Sequence, residues 1–166
     1  MTEDDLRKLA QEKGVQIVDG LPLPETGSLV IDDGRLTIGL DKSLSGARKK
    51  AHLAHEMGHA MKGAVYRADA TLRTRSRCEY RANKWMYEHL LPLERLEEVC
   101  AANMQAPLSE IADLLDVPES VLRGAIRHYK ALGMMVSVLG RGDSKTNGDT
   151  ELQALRVHVF GRWLLA

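Results

Sequence analysis

Three side chains in the stretch "LAHEMGHAMKG" (residues 53–63) are of types that do chemistry together: His55, Glu56 and His59. On a helix, residues four apart share a face with their Cβ atoms about 6 Å from one another, so two imidazoles can aim at one metal ion. Glu56, one step round, reaches a water on that ion rather than the ion itself. Zinc brings the pKa of such a water to about 7, and the glutamate takes its proton as the water attacks a polarised carbonyl. The five-residue pattern is short, and two hydrogen-bonded histidines of a packed helix would give the same letters.

A third ligand separates these alternatives, because hydrolytic zinc takes three protein ligands and keeps one position open. The stretch "CEYRANKWMYEHLLP" offers a carboxylate at Glu79, twenty positions after His59. That separation lets a second helix return antiparallel to the first and set Glu79 beside the imidazoles. Asn83, one turn later, is in reach to hold a ligand's other ring nitrogen. The competing assignment is a surface glutamate paired with Lys84 or Arg75. The neighbouring Ala82 and Trp85, on an inward face, favour the ligand role.

The elements that must position these residues are legible around them. Thr2 caps a first helix with Asp4 and Asp5 in its first turn, and Gly14 ends it. "VQIV" reads as a strand, and "GLPLPETG" as an extended segment broken by Pro22, Pro24 and Gly27. "SLVIDDGRLTIGL" reads as a hairpin turning at Asp33-Gly34, with Leu36, Ile38 and Leu40 on one face. The metal helix opens at Ser43 or Ser45 and closes near Lys62, before Gly63. Residues 63–75 lack apolar periodicity and read as a loop, and the ligand helix is expected from Ser76 to Leu91. Pro92 starts a fourth helix. "PLSEIADLLDVPESVLRGAIRHYKALG" gives two amphipathic helices around a tight "LDVP" break. From Gly140 a polar, glycine-bearing linker leads to an apolar end, and a chain stopping there is expected to keep its fold and metal.

With its two motifs in place, the sequence resembles the ImmA/IrrE family of zinc metallopeptidases. That family follows HExxH with a helix of the form E-x-x-A-N-x-[FW]-x-x-x-x-L-x-P, here Glu79, Ala82, Asn83, Trp85, Leu90 and Pro92. The segment "LPLPETGSLVIDDGRLTIGL" is similar to the short sheet that precedes the active-site helix in that family, and the likeness covers roughly residues 5 to 133. By position it implies His55, His59 and Glu79 as ligands of Zn2+ and Glu56 as general base. It also implies regulated cleavage of a helix-turn-helix repressor, usually encoded beside the protease on a phage or other mobile element. Met86 and His89 depart from the smaller or aliphatic residues common there, and nothing from Met134 onward matches the family.

Composition limits the alternatives. Lys plus Arg and Asp plus Glu balance at 23 each in 166 residues, so net charge favours neither nucleic acid nor membrane as partner. The acidic start "MTEDDLRKLA" is unlike a signal peptide, and no apolar run approaches the ~20 residues of a membrane span. Two cysteines, Cys78 and Cys100, suit reduced thiols in the cytoplasm better than a disulfide framework. Tyr66, in the loop after the metal helix, is placed to donate to the oxyanion that forms on an attacked carbonyl, though loop tyrosines more often simply pack. His52, one turn before His55, is in reach of the metal as an extra ligand or shuttle. Three ligands already suffice, so a hydrogen-bonded or solvated role is expected for it, while His89 reads as an ordinary helix residue. Arg67, Arg73, Arg75, Arg77, Arg81 and Lys84 face only Asp69 and Glu79, a basic rim that would draw an acidic stretch of a protein substrate if it is more than a solvated face. In the last helix pair Glu110, Asp113, Asp116 and Glu119 offset Arg123, Arg127 and Lys130, so direct DNA binding is not expected. "GRGDSKT" lacks the glycine a phosphate loop needs before Lys145.

The expected architecture is therefore α+β and gluzincin-like. A short sheet packs on the HExxH helix and a following ligand helix (residues 1–95), a helix-turn-helix-like part follows (96–133), and a tail of unknown role ends the chain (134–166). The expected activity is zinc-dependent endopeptidase cleavage of a repressor. Two alternatives stay open: a non-catalytic zinc-containing regulator that sequesters a repressor, and a DNA-binding regulator acting through residues 108–132.

Overall fold

The computed structural model describes residues 1–23, 27–32, 35–67 and 69–134, with the backbone alone described for strand 27–32. The Asp33-Gly34 turn, the linker and the apolar C-terminal end lie outside the described residues. The chain divides into two compact units, Met1–Leu90 and Leu91–Ala166. The architecture is α+β, with a small sheet and six helices among the described residues.

In the first unit, α1 (Glu3–Glu12) begins at Thr2, whose hydroxyl accepts from Asp5 N while the Asp5 carboxylate accepts from Thr2 N. This reciprocal box satisfies donors that a helix start leaves orphaned. Strands β1 (Gln16–Leu21), β2 (Gly27–Asp32) and β3 (Arg35–Asp41) form one sheet in the order β1-β3-β2. The expected hairpin is present, β2 running antiparallel to β3 with Asp32 opposite Arg35. The partner of β1 is a feature that sequence reasoning left blank: β1 runs parallel to β3, pairing Ile17 with Ile38. The central strand therefore carries the buried Ile38 and Leu40.

Helix α2 (Gly46–Met61) packs on β2, β3 and α1, and most extensively on α3 (Leu72–Leu90). Leu53, Ala54 and Met57 on α2 are fully buried, as is Ala82 on α3. Helix α3 begins four residues before the expected Ser76. The Thr71 hydroxyl accepts from Thr74 N, three residues on, which is the geometry of a cap. No apolar period announces this first turn, because Leu72 and Arg73 face solvent.

The second unit holds α4 (Leu93–Ala102), α5 (Leu108–Leu114) and α6 (Glu119–Ala131). The expected break between α5 and α6 is made by Asp116 in the left-handed region (φ 53°), which aspartate tolerates better than most residues, followed by Pro118 at the start of α6. Leu96, Ile111, Leu122 and Ile126 are its buried centre, and the Tyr129 hydroxyl donates to Leu91 O at 2.8 Å. Both cysteines are free, and burial pushes the Cys100 thiol up to about 11. Among the described residues no helix is long and apolar enough to cross a membrane.

Candidate metal centre

Helix α2 is buried around most of its circumference in its last three turns, polar residues included. Glu56 and His59 are 8% and 6% exposed, respectively. From this helix the two imidazoles converge edge to face, with ring centroids 4.7 Å apart and Nε2 atoms 3.1 Å apart. Across the gap, Glu79 of α3 places Oε2 3.2 Å from His55 Nε2 and Oε1 3.3 Å from His59 Nε2. One ligand atom from each of these three residues can be chosen so that all three lie within 4.8 Å of one another.

Hydrogen bonds on the far side of each ring decide what that convergence means. His59 Nδ1 lies 3.0 Å from Ala64 O, and His55 Nδ1 lies 3.1 Å from Asn83 Oδ1. Both oxygens accept only, so both Nδ1 atoms carry a proton, and in the neutral rings the Nε2 lone pairs face the gap. Two ring nitrogens and a carboxylate thus converge on one point, an arrangement that a shared cation satisfies. Burial, ahead of the neighbouring His59, lowers the His55 pKa in spite of Glu79, so its lone pair is free at neutral pH. His59 also sits in the last turn of α2, where the helix dipole favours positive charge. The residues present therefore fit a metal ion held by two imidazole nitrogens and one carboxylate.

What sets the spacing is an approach of backbones. A Cβ built on Gly58 would lie 2.5 Å from Ala82 O and 2.9 Å from Ala82 Cα. Only glycine permits α2 and α3 to come this close, and the contact falls between His55 and His59 on one helix and beside Glu79 on the other. Sequence reasoning passed over this pair and over the Ala64 carbonyl. The signal available was a glycine inside the metal motif opposite an alanine inside the ligand motif.

The remaining candidates fall into place around this centre. The Tyr66 hydroxyl donates to Glu79 Oε1 at 2.8 Å, and that bond, ahead of burial, pushes the phenol up to about 12. Its ring stands 6.0 Å from that of His59. His52 is outside the ligand group. His89 stacks on Trp85 at 3.9 Å and its Nδ1 donates to the Trp85 carbonyl, while Met86 is buried, so both departures from the family pattern are absorbed by packing. Of the basic rim, Arg67 pairs with Asp69, Arg75 Nε donates to Ala70 O, Arg81 donates to Lys62 O and Lys84 pairs with Glu88. Arg73 and Arg77 are exposed and have no ion pair among the described residues.

The model of a peptidase family described as the IrrE N-terminal-like domain matches residues 10–126, a span that contains every residue of this centre. No curated protein matches the chain.

Proposed function

Since the chain belongs to the IrrE N-terminal-like peptidase family, we propose that it is a zinc-dependent endopeptidase of the gluzincin type. In this reading it cleaves a helix-turn-helix repressor encoded near it and thereby relieves repression. The observation that carries the catalytic part is the convergence of His55, His59 and Glu79 with the buried Glu56 beside them on α2.

The bound ion would supply Lewis acidity, lowering the pKa of a water and polarising the scissile carbonyl. Everything else falls to the chain's own groups. His55, held by Asn83, and His59, held by Ala64 O, keep fixed tautomers, so their donor atoms do not have to reorient. Glu56 serves as general base: its carboxylate takes a proton from the attacking water and returns it to the departing amine. Burial of α2 excludes competing water from around that carboxylate. The choice of zinc rests on the donor set, since two imidazoles and one carboxylate with an open position are what hydrolytic zinc prefers.

Glu56→Gln tests this reading, because it keeps size and hydrogen-bonding reach and removes the base. The variant, incubated with the neighbouring repressor, is expected to retain metal and to lose cleavage by about 100-fold or more. Fragments appearing at the wild-type rate would remove Glu56 as the base. Repressor binding without cleavage by the wild-type protein would favour sequestration instead.

A further inference from the structure

Each of the two histidines has one outer partner that orients it, Asn83 for His55 and the Ala64 carbonyl for His59. Glu79 has one as well. Its side chain is 38% exposed, carries three rotatable torsions and is engaged, among the described residues, by His55, His59 and Tyr66. Tyr66 is thus the group outside the ligand set that fixes where the carboxylate points. We propose that Tyr66 is a positioning residue for the metal centre, holding Glu79 in the rotamer that turns one oxygen to each histidine and thereby setting metal affinity. This rests on the reading of His55, His59 and Glu79 as ligands.

The geometry behind the assignment is a phenol that is itself held in place. Two residues before Tyr66, Ala64 N donates to His59 O at 2.9 Å while Ala64 O receives His59 Nδ1. The loop therefore leaves α2 already tied to one ligand. The Arg75 guanidinium lies 6.0 Å from the centroid of the Tyr66 ring, and Arg75 Nε is anchored on Ala70 O. The phenol thus bridges from a loop fixed at His59 to a carboxylate on α3, and its hydroxyl ends 2.8 Å from Glu79 Oε1. A donor to an oxyanion would have to leave that carboxylate first. The two roles differ in what they change: positioning acts on the affinity for metal, whereas oxyanion donation acts on turnover once metal is bound.

Tyr66→Phe removes the hydroxyl and leaves the ring. Zinc affinity is measured by competition with a chromophoric chelator, the ligand field by the visible spectrum of the Co2+-substituted protein, and turnover at saturating zinc. The expected result is zinc affinity weakened by about 10- to 100-fold, an altered Co2+ spectrum, unchanged melting of the metal-free protein, and turnover restored by added zinc. In a Glu79→Ala background the same substitution is expected to change affinity no further. Wild-type affinity and spectrum with lost turnover would overturn positioning in favour of oxyanion donation. An equal effect of Tyr66→Phe with and without Glu79 would overturn it too. A wild-type protein that binds no zinc would overturn the ligand assignment itself, a failure distinct from one seen only in the variant.

Discussion

In the α2–α3 pair, the closest approach is backbone to backbone, at Gly58 against Ala82, and buried polar side chains converge beside it. In the α5–α6 pair the buried centre is aliphatic, Ile111 on α5 and Leu122 and Ile126 on α6, with Val117 buried in the connection. On α6, Arg123 donates to Glu119 one turn away at 2.7 Å. Both pairs are consecutive helices joined by a connection, yet they answer different demands. A pair that must hold three donor atoms at one point needs a fixed separation, and glycine against backbone gives a hard stop. A pair that only buries apolar surface can relax around a change, because side chains repack. The first should therefore lose its chemistry on small geometric insults, and the second should lose stability alone.

The sharpest way to break this contrast is to injure each pair by one substitution. Leu122→Ala removes a fully buried side chain from α6 and is expected to cost about 2–5 kcal/mol in chemical denaturation, with metal content per folded chain unchanged. Gly58→Ala adds one methyl against Ala82 and is expected to cost about 1–3 kcal/mol, because the helices must part. Although smaller in stability, the second change should lower metal affinity measurably and the first should not. Equal metal affinity in both variants would dissolve the distinction.

A weaker effect is expected on the outer face of α3. Reversing the exposed pair with Arg73→Glu and Arg77→Glu should raise KM for an acidic peptide substrate several-fold, about 1 kcal/mol, at low salt. The difference should shrink as added salt shortens the screening length. A KM unchanged at low salt would make this stretch a solvated face and no more.

The smallest effect lies in the ion-pair cluster that ties α1, β1 and α2 in the first unit. Asp19 accepts from Arg7 at 2.9 Å and lies 2.7 Å from the Lys49 ammonium, and these bonds, Arg7 first, hold its carboxyl below the usual value. A depressed carboxylate pKa gives stability that is present above the unfolded value near 3.8 and is lost as pH falls through the folded one. The group is 42% exposed, so screening limits the contribution to about 0–1 kcal/mol. Asp19→Asn should melt slightly earlier at neutral pH and show a shallower loss of stability below pH ~4. An unchanged acid profile would mean the cluster contributes nothing.

How much of this was legible in the sequence follows the same divide. The metal motif could be read because helical spacing alone puts His55 and His59 on one face, and Glu79 because its stretch sits on an amphipathic helix with Ala82 and Trp85 inward. Asn83 was readable as an orienting partner for the same reason, and the α5–α6 break was written in Asp116 and Pro118. Three features were not readable. The first turn of α3 is stabilised by a Thr71 cap and shows no apolar period. The parallel partner of β1 depends on the path of the intervening chain, which local propensity does not encode. The Gly58–Ala82 contact is a relation between two helices, and one glycine in a motif does not say what stands opposite.

The central claim is that α2 and α3 together form one metal site from His55, His59 and Glu79. Metal analysis of protein purified without chelator or added metal tests it most directly, comparing wild type with His59→Ala. The expected result is about one zinc per wild-type chain and almost none in the variant. Stoichiometric zinc surviving in His59→Ala, or none in the folded wild-type protein, would contradict it.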